Sequence, residues 1–171
     1  VCEGKTPSEI LDISVADIAC GSGIFLEEAF AYLQDYCVQW YICNGQTDHL
    51  IETGIDLYKL PLQEKKDILC SCIYGIDIDI HAVEVAKFSL LIKLIEDETA
   101  PSVSEVVPIL PDLGDNIQFG NSLVSQTELN GISGANHQMM EIAPFDWSTI
   151  NNGCGFDVII GNPPYVNTEG M

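Results

Sequence analysis

Asp17-Ile18-Ala19-Cys20-Gly21-Ser22-Gly23, DIACGSG, decides how the rest of the chain is read. It closes an apolar run, ISVADIA (Ile13 to Ala19), that reads as a buried strand. After it, Phe25, Leu26, Ala29, Phe30, Leu33 and Tyr36 recur at helical spacing, with Glu27, Glu28, Gln34 and Asp35 opposite. A strand that turns through two glycines into an amphipathic helix is the opening unit of a parallel α/β sheet. Gly21 and Gly23 let the backbone approach a ligand, and the helix start offers free N–H groups. A lone glycine pair is as often a plain turn. The dinucleotide fingerprint asks for a third glycine where Leu26 stands, and no phosphate-gripping loop with Lys and Ser/Thr is present. Asp17, just before the turn, opposes a phosphate and suits a cationic ligand.

Outward from this unit, strands and helices alternate. Residues from about 37 to 61 are irregular by pattern and are expected to be an insertion. LQEKKDILCSC (Leu62 to Cys72) reads as a short helix, and CIYGIDID (Cys72 to Asp79) as a second strand with its exit. HAVEVAKFSLLIKLIEDE (His81 to Glu98) is a long helix, apolar nearly all round, and so expected to be covered on two sides. NIQFGNSL (Asn116 to Leu123) is a third strand and exit; a loop-rich stretch with Gly131, Gly134 and Asn136 follows; FDVIIGN is the fourth strand. The fold class expected is α/β, a Rossmann-like parallel sheet with helices on both faces, truncated after the fourth strand.

In such sheets ligands bind beyond the carboxyl ends of the strands. All four exits here carry Gly, Asp or Asn. Asp77 at the second exit has the chemistry to accept both hydroxyls of a ribose, while Asp79 fits the N-cap of the next helix better. Asn121 and Ser122 stand at the third exit, where Asn and Ser also serve as ordinary turn residues. At the fourth, Gly161-Asn162-Pro163-Pro164-Tyr165 ends an apolar strand abruptly. The two prolines stiffen an extended backbone that presents a primary amide and an aromatic ring.

Bulk properties narrow the classes. At 171 residues the chain is one domain by length, and its 47% hydrophobic content suits a globular core. No apolar run reaches transmembrane length, so no membrane partner is expected. The seven cysteines form no C-x-x-C pair, which favours reduced thiols in a cytoplasm over disulfides or zinc. The three histidines are far apart, and no metal site is expected. The net charge is −20, and every cation is a lysine. A surface of that sign repels a polyanion, so any grip on nucleic acid belongs to regions outside this chain.

DIACGSGIFLEEAF, then IYGIDIDIHAVEVAKFSLLI, then GNSL, FDW (Phe145 to Trp147) and FDVIIGNPPYV, in this order, resemble the S-adenosylmethionine-dependent DNA adenine-N6 methyltransferases. More narrowly, the chain looks like the methylating domain of the Eco57I-like restriction–modification enzymes, over nearly its whole length. NPPY alone also occurs in enzymes that methylate a protein glutamine or a ribosomal guanine; the ordered set is more specific. The resemblance implies that Asn162 and the Pro163 carbonyl hold the adenine amino group, with Pro164 fixing the backbone and Tyr165 stacking on a base flipped out of double-stranded DNA. It implies a cofactor, S-adenosyl-L-methionine, held by Asp17, Ala19, Cys20, Gly21 and Gly23 on its methionine side. Asp77 would hold its ribose, Ile78 belongs to the same cofactor-binding set, and Asn121 and Ser122 would stand near its adenine; many relatives carry Asp where Asn121 stands. Residues 1–171 are then expected to be part of a methyltransferase catalytic domain, inactive alone, since an upstream cofactor motif, the strands after NPPY and a recognition domain are missing. The alternatives are a protein-glutamine methyltransferase and a non-catalytic methyltransferase-like module.

Overall fold

The computed structural model describes residues 1–99, 106–125 and 143–162. The expected loop around Gly131, Gly134 and Asn136, and Pro163, Pro164 and Tyr165, lie outside them. A short helix α1 (Pro7–Ile10), closed by a Thr6–Glu9 capping box, leads into strand β1 (Val15–Asp17) and the long helix α2 (Ile24–Cys43). An antiparallel hairpin, β2 (Ile51–Gly54) and β3 (Leu57–Lys59), is followed by α3 (Leu62–Cys72), β4 (Ile73–Asp77) and α4 (Ile80–Ile95). Then come β5 (Ile117–Phe119), β6 (Asn121–Ser125), β7 (Pro144–Phe145) and β8 (Val158–Ile160).

The main sheet has the order β5-β4-β1-β8 and is parallel throughout. Helices flank it, as the alternating pattern predicts, but among the described residues α2, α3 and α4 all lie on one face rather than on both. Its residues alternate between two cores. Val15, Ile73 and Ile117 face α2, α3 and α4 and pack among Leu26, Phe30, Leu33, Ile68, Leu69 and Leu90. Ala16, Tyr74 and Ile76 face the other way, onto Phe145 and Ile150. Among the described residues this second face is covered by short 3₁₀ turns at Trp147–Thr149 and Asn151–Gly153.

The glycine that the dinucleotide fingerprint lacks is replaced by two others. Gly23 lies where a Cβ would meet the Ala86 Cβ at 3.0 Å, so the start of α2 packs directly on α4. Leu26 is fully buried, and its room comes from Gly75 in β4, where a Cβ would lie 2.7 Å from the Leu26 Cδ1. Burying a leucine this fully contributes about 1.5–3 kcal/mol.

Three local expectations are corrected. β1 is shorter than Ile13–Ala19, because the chain already turns into the site after Asp17. The stretch 37–61 is ordered: α2 continues to Cys43 because Cys37 and Tyr41 prolong the buried stripe of Leu26, Phe30 and Leu33. Asn44 then bonds the Trp40 carbonyl, and Gly45, at φ 68°, ends the helix. The hairpin is anchored from afar. The carboxylate of Glu98, 1% exposed, lies 3.0 Å from Lys59 Nζ and 2.7 Å from Lys65 Nζ. Thirdly, among the described residues α4 is covered on one side only. Val83, Ala86, Leu90 and Leu94 form one buried stripe, while Val85, Phe88 and Ile92 on the other side are exposed.

Candidate functional site

The four strand exits meet at one end of the sheet, and specific contacts tie them together. The Cys20 N–H donates to the Ile76 carbonyl at 3.0 Å, and the Gly21 N–H to Asp77 Oδ2 at 2.7 Å, joining first exit to second. The Gly120 N–H donates to the Asp77 carbonyl at 2.9 Å, joining second to third. The Ser122 hydroxyl donates to the Ile18 carbonyl at 2.7 Å, joining third to first. The register pairs Asp17 with Ile160, so Gly161 and Asn162 emerge beside Asp17 and the fourth exit completes the ring.

The glycine turn is built as its sequence demands. Gly21 has φ 52° and Gly23 φ 88°, values that side chains rarely allow. Gly23 is the N-cap of α2 and offers no side-chain acceptor, so the first-turn amides of a 20-residue helix have none from the cap residue. They face the end of the sheet where anionic groups are stabilised. Ala19 sits inside the turn and donates its N–H to Asp17 Oδ1 at 3.0 Å.

Asp17 is the most telling group. It is 1% exposed, yet its Oδ2 has no hydrogen-bond partner among the described residues. Burial pushes its pKa above the usual carboxylate range, the Ala19 N–H partly offsets this, and the nearby Asp77 charge adds to it. A buried acceptor left open is costly unless something fills it. A cationic ligand would do so, as the position before the turn predicts. Cys20 is no nucleophile here: burial, then the Asp77 and Asp17 charges, push its thiol up to about 12.

Asp77 is half-buried and presents its carboxylate at the second exit. Its Oδ1 accepts the Asp79 N–H at 2.9 Å and its Oδ2 the Gly21 N–H, which leaves a lone pair on each oxygen for a pair of hydroxyls. Asp79 takes the cap role instead, accepting the His81 N–H at 2.9 Å. Ile78 is 57% exposed beside Asp77, an apolar surface at the rim of the site. Asn121 holds the third exit: its N–H donates to the Ala143 carbonyl at 2.6 Å and its Oδ1 accepts the Leu123 N–H at 3.1 Å. Phe145 is buried beneath this exit, so close that a Cβ on Gly120 would lie 2.7 Å from its ring, and Trp147 meets it edge-on at 5.1 Å. Asn162 is exposed at the end of β8. One contributor was missed from sequence. Gly161 has φ 145° and lies against the Asp17 carboxylate, and only the register of β8 on β1 makes that visible.

The chain is similar to known proteins over nearly its whole length. The Escherichia coli type II restriction enzyme and methyltransferase RM.Eco57I is 45% identical over 170 residues, covering 99% of this chain and 16% of its own length. A Methanocaldococcus jannaschii relative, RM.MjaORFECS2P, provisionally assigned the same two activities, is 34% identical over 122 residues, 71% of this chain and 9% of its own. The chain therefore spans less than a fifth of these relatives. No solved structure matches. The family model for the Eco57I restriction-modification methylase matches residues 71–171, more than half of the chain and through the third and fourth exits. The chain belongs to the Eco57I restriction-modification methylase family.

Proposed function

We propose that this chain is the cofactor-binding and catalytic core of a restriction–modification enzyme that transfers a methyl group from S-adenosyl-L-methionine to the N6 amino group of adenine in DNA. The observation that carries the reading is the open, buried Oδ2 of Asp17, next to a glycine turn and within one residue's reach of the Asn162 segment. The cofactor's three parts match the donor set. Its ammonium fits Asp17, its ribose hydroxyls fit the remaining lone pairs of Asp77, and its adenine fits the apolar rim at Ile78 with Asn121 nearby. Gly21, Gly23 and Cys20 shape the backbone around the methionine part, and the Ser122 hydroxyl fixes that backbone through Ile18.

The cofactor supplies a methyl group already activated on a sulfonium, so neither a metal nor a covalent enzyme intermediate is needed. The protein's task is the poor nucleophile. An adenine amino nitrogen delocalises its lone pair into the ring. The Asn162 side-chain oxygen and the Pro163 carbonyl would accept its two N–H bonds and free that lone pair for attack. The two prolines would fix the direction of the Pro163 carbonyl before substrate arrives, so little reorganisation would accompany reaction. Tyr165 would stack on the base, which must first leave the duplex. DNA would be gripped by segments outside this acidic chain.

The test is methyl transfer from labelled cofactor to duplex DNA by the full-length protein, followed by digestion to nucleosides. Label in N6-methyladenine is expected. Label in cytosine, or in a protein glutamine with DNA unlabelled, overturns the reading.

A further inference from the structure

Gly161 is unlike the other glycines of the site. At Gly75 and Gly120 an added Cβ would press on the Leu26 methyl or the Phe145 ring, ordinary packing partners. At Gly161 it would press on the functional group itself, 2.6 Å from Asp17 Oδ1, 3.1 Å from Cγ and 3.4 Å from Oδ2. The carboxylate has little freedom to withdraw. Its Oδ1 is held by the Ala19 N–H, and the residue is bracketed by its β-partners Gly75 and Ile160. The backbone of Gly161 has no easy escape either, since its φ of 145° already lies where side chains are disfavoured.

We propose that Gly161 is a positioning residue that couples the two halves of the site: its bare backbone seats the Asp17 carboxylate for the cofactor's ammonium and, by the same contact, sets where Asn162 enters the target-base pocket. The proposal rests on the methyltransferase reading above. Any side chain at this position moves either the acceptor for the methyl donor or the acceptor for the methyl recipient, so one substitution reaches both functions. Nearness to the reaction alone would not produce that pattern; the shared contact does.

The test uses the full-length protein with Gly161→Ala, Asp17→Ala and the double variant. S-adenosylhomocysteine affinity is measured by calorimetry and single-turnover methylation at saturating cofactor on duplex DNA. In the wild-type background Gly161→Ala is expected to weaken binding about tenfold or more and to slow methylation. In the Asp17→Ala background it should cost less than about threefold in binding, because the group it collides with is gone. Backbone strain at φ 145° is the same in both backgrounds, so an equal cost in both overturns the coupling. If Gly161→Ala alone fails to fold, a melting transition regained in the double variant supports the contact, and no recovery overturns it. Wild-type adenine methylation is the separate control: its absence sinks the underlying reading, whereas its presence with additive variants sinks only the role of Gly161.

Discussion

The two ends of the parallel sheet treat buried polar groups in opposite ways. Where the strands begin, each one among the described residues is satisfied. Asn116, 6% exposed, donates its amide to the Cys70 carbonyl at 2.8 Å and the Ile73 carbonyl at 2.9 Å. Ser14 gives both its N–H and its hydroxyl to Asp157 Oδ2, at 2.8 and 2.9 Å, lashing the start of β8 to β1. Those hydrogen bonds hold the Asp157 carboxyl below its usual range. Where the strands end, Asp17 is buried with an oxygen unmet, and Asp77 uses one oxygen to hold the glycine turn and the other to hold Asp79. The same residue types thus serve the fold at one end and, on the proposed reading, a ligand at the other. What separates them is whether their hydrogen-bonding capacity closes on the chain itself.

The difference is sharpest in the largest expected effect. Asn162→Ala in the full-length protein should cut single-turnover methylation by about a hundredfold or more, the scale of losing one preorganised polar group, while the melting temperature and cofactor affinity hardly change. A folded Asn162→Ala protein working at the wild-type rate would remove this residue from the chemistry. At the opposite end, Asn116→Ala should do the reverse. It strips a donor from the buried Ile73 carbonyl and from Cys70, at roughly 1–3 kcal/mol for each acceptor left unmet. Denaturant unfolding should show that loss, with the rate at saturating cofactor unchanged below the transition; a selective loss of rate would erase the distinction between the ends.

The smallest effect has the most informative sign. Because the folded-state pKa of Asp17 is raised, the unfolded chain releases this proton first as pH rises. Stability therefore falls with pH, starting near roughly pH 4, the ordinary carboxylate range, and continuing until the folded-state group has ionised too. Asp17→Asn removes that burden. The variant should melt above wild type at neutral pH, the gap closing as the pH is lowered, while its affinity for S-adenosylhomocysteine drops. Wild-type affinity should likewise weaken as Asp17 takes up its proton. Melting curves and calorimetry across pH check both; a variant that binds as tightly as wild type would exclude Asp17 from the ammonium site.

Much of the exit end is legible in sequence because its constraints are local. The change of period at Gly21 and Gly23 marks strand-to-helix, and Asp79 reads as the cap of α4 because the acceptor and its His81 donor are near neighbours. The buried stripe of α2 is legible too, although taking Cys37 as a break hides its continuation to Tyr41. What escapes is non-local. IETGIDLYK shows no clean alternation, and Ile55 at its tip is 92% exposed; the hairpin is held instead by Glu98, far along the chain. The second side of α4 looks like core by composition, because periodicity reports apolar residues and not what lies against them. Gly161 shows only as the start of the fourth exit until the pairing of Asp17 with Ile160 is known, and a sheet register cannot be read from one strand.

The Lys59–Glu98–Lys65 cluster has a consequence for how this chain meets other molecules. It withdraws two of only six cations from solvent. The outward field is therefore more uniformly negative than the composition suggests, and a phosphate backbone approaching this chain meets a repulsive barrier. Added salt lowers a barrier of that kind, whereas it weakens a contact made by counterion release. If the proposed function holds, the isolated chain and the full-length protein should show ionic-strength dependences of opposite slope toward DNA. Encounter would then be guided by charge beyond this chain, leaving the acidic core to close on a base already delivered to it.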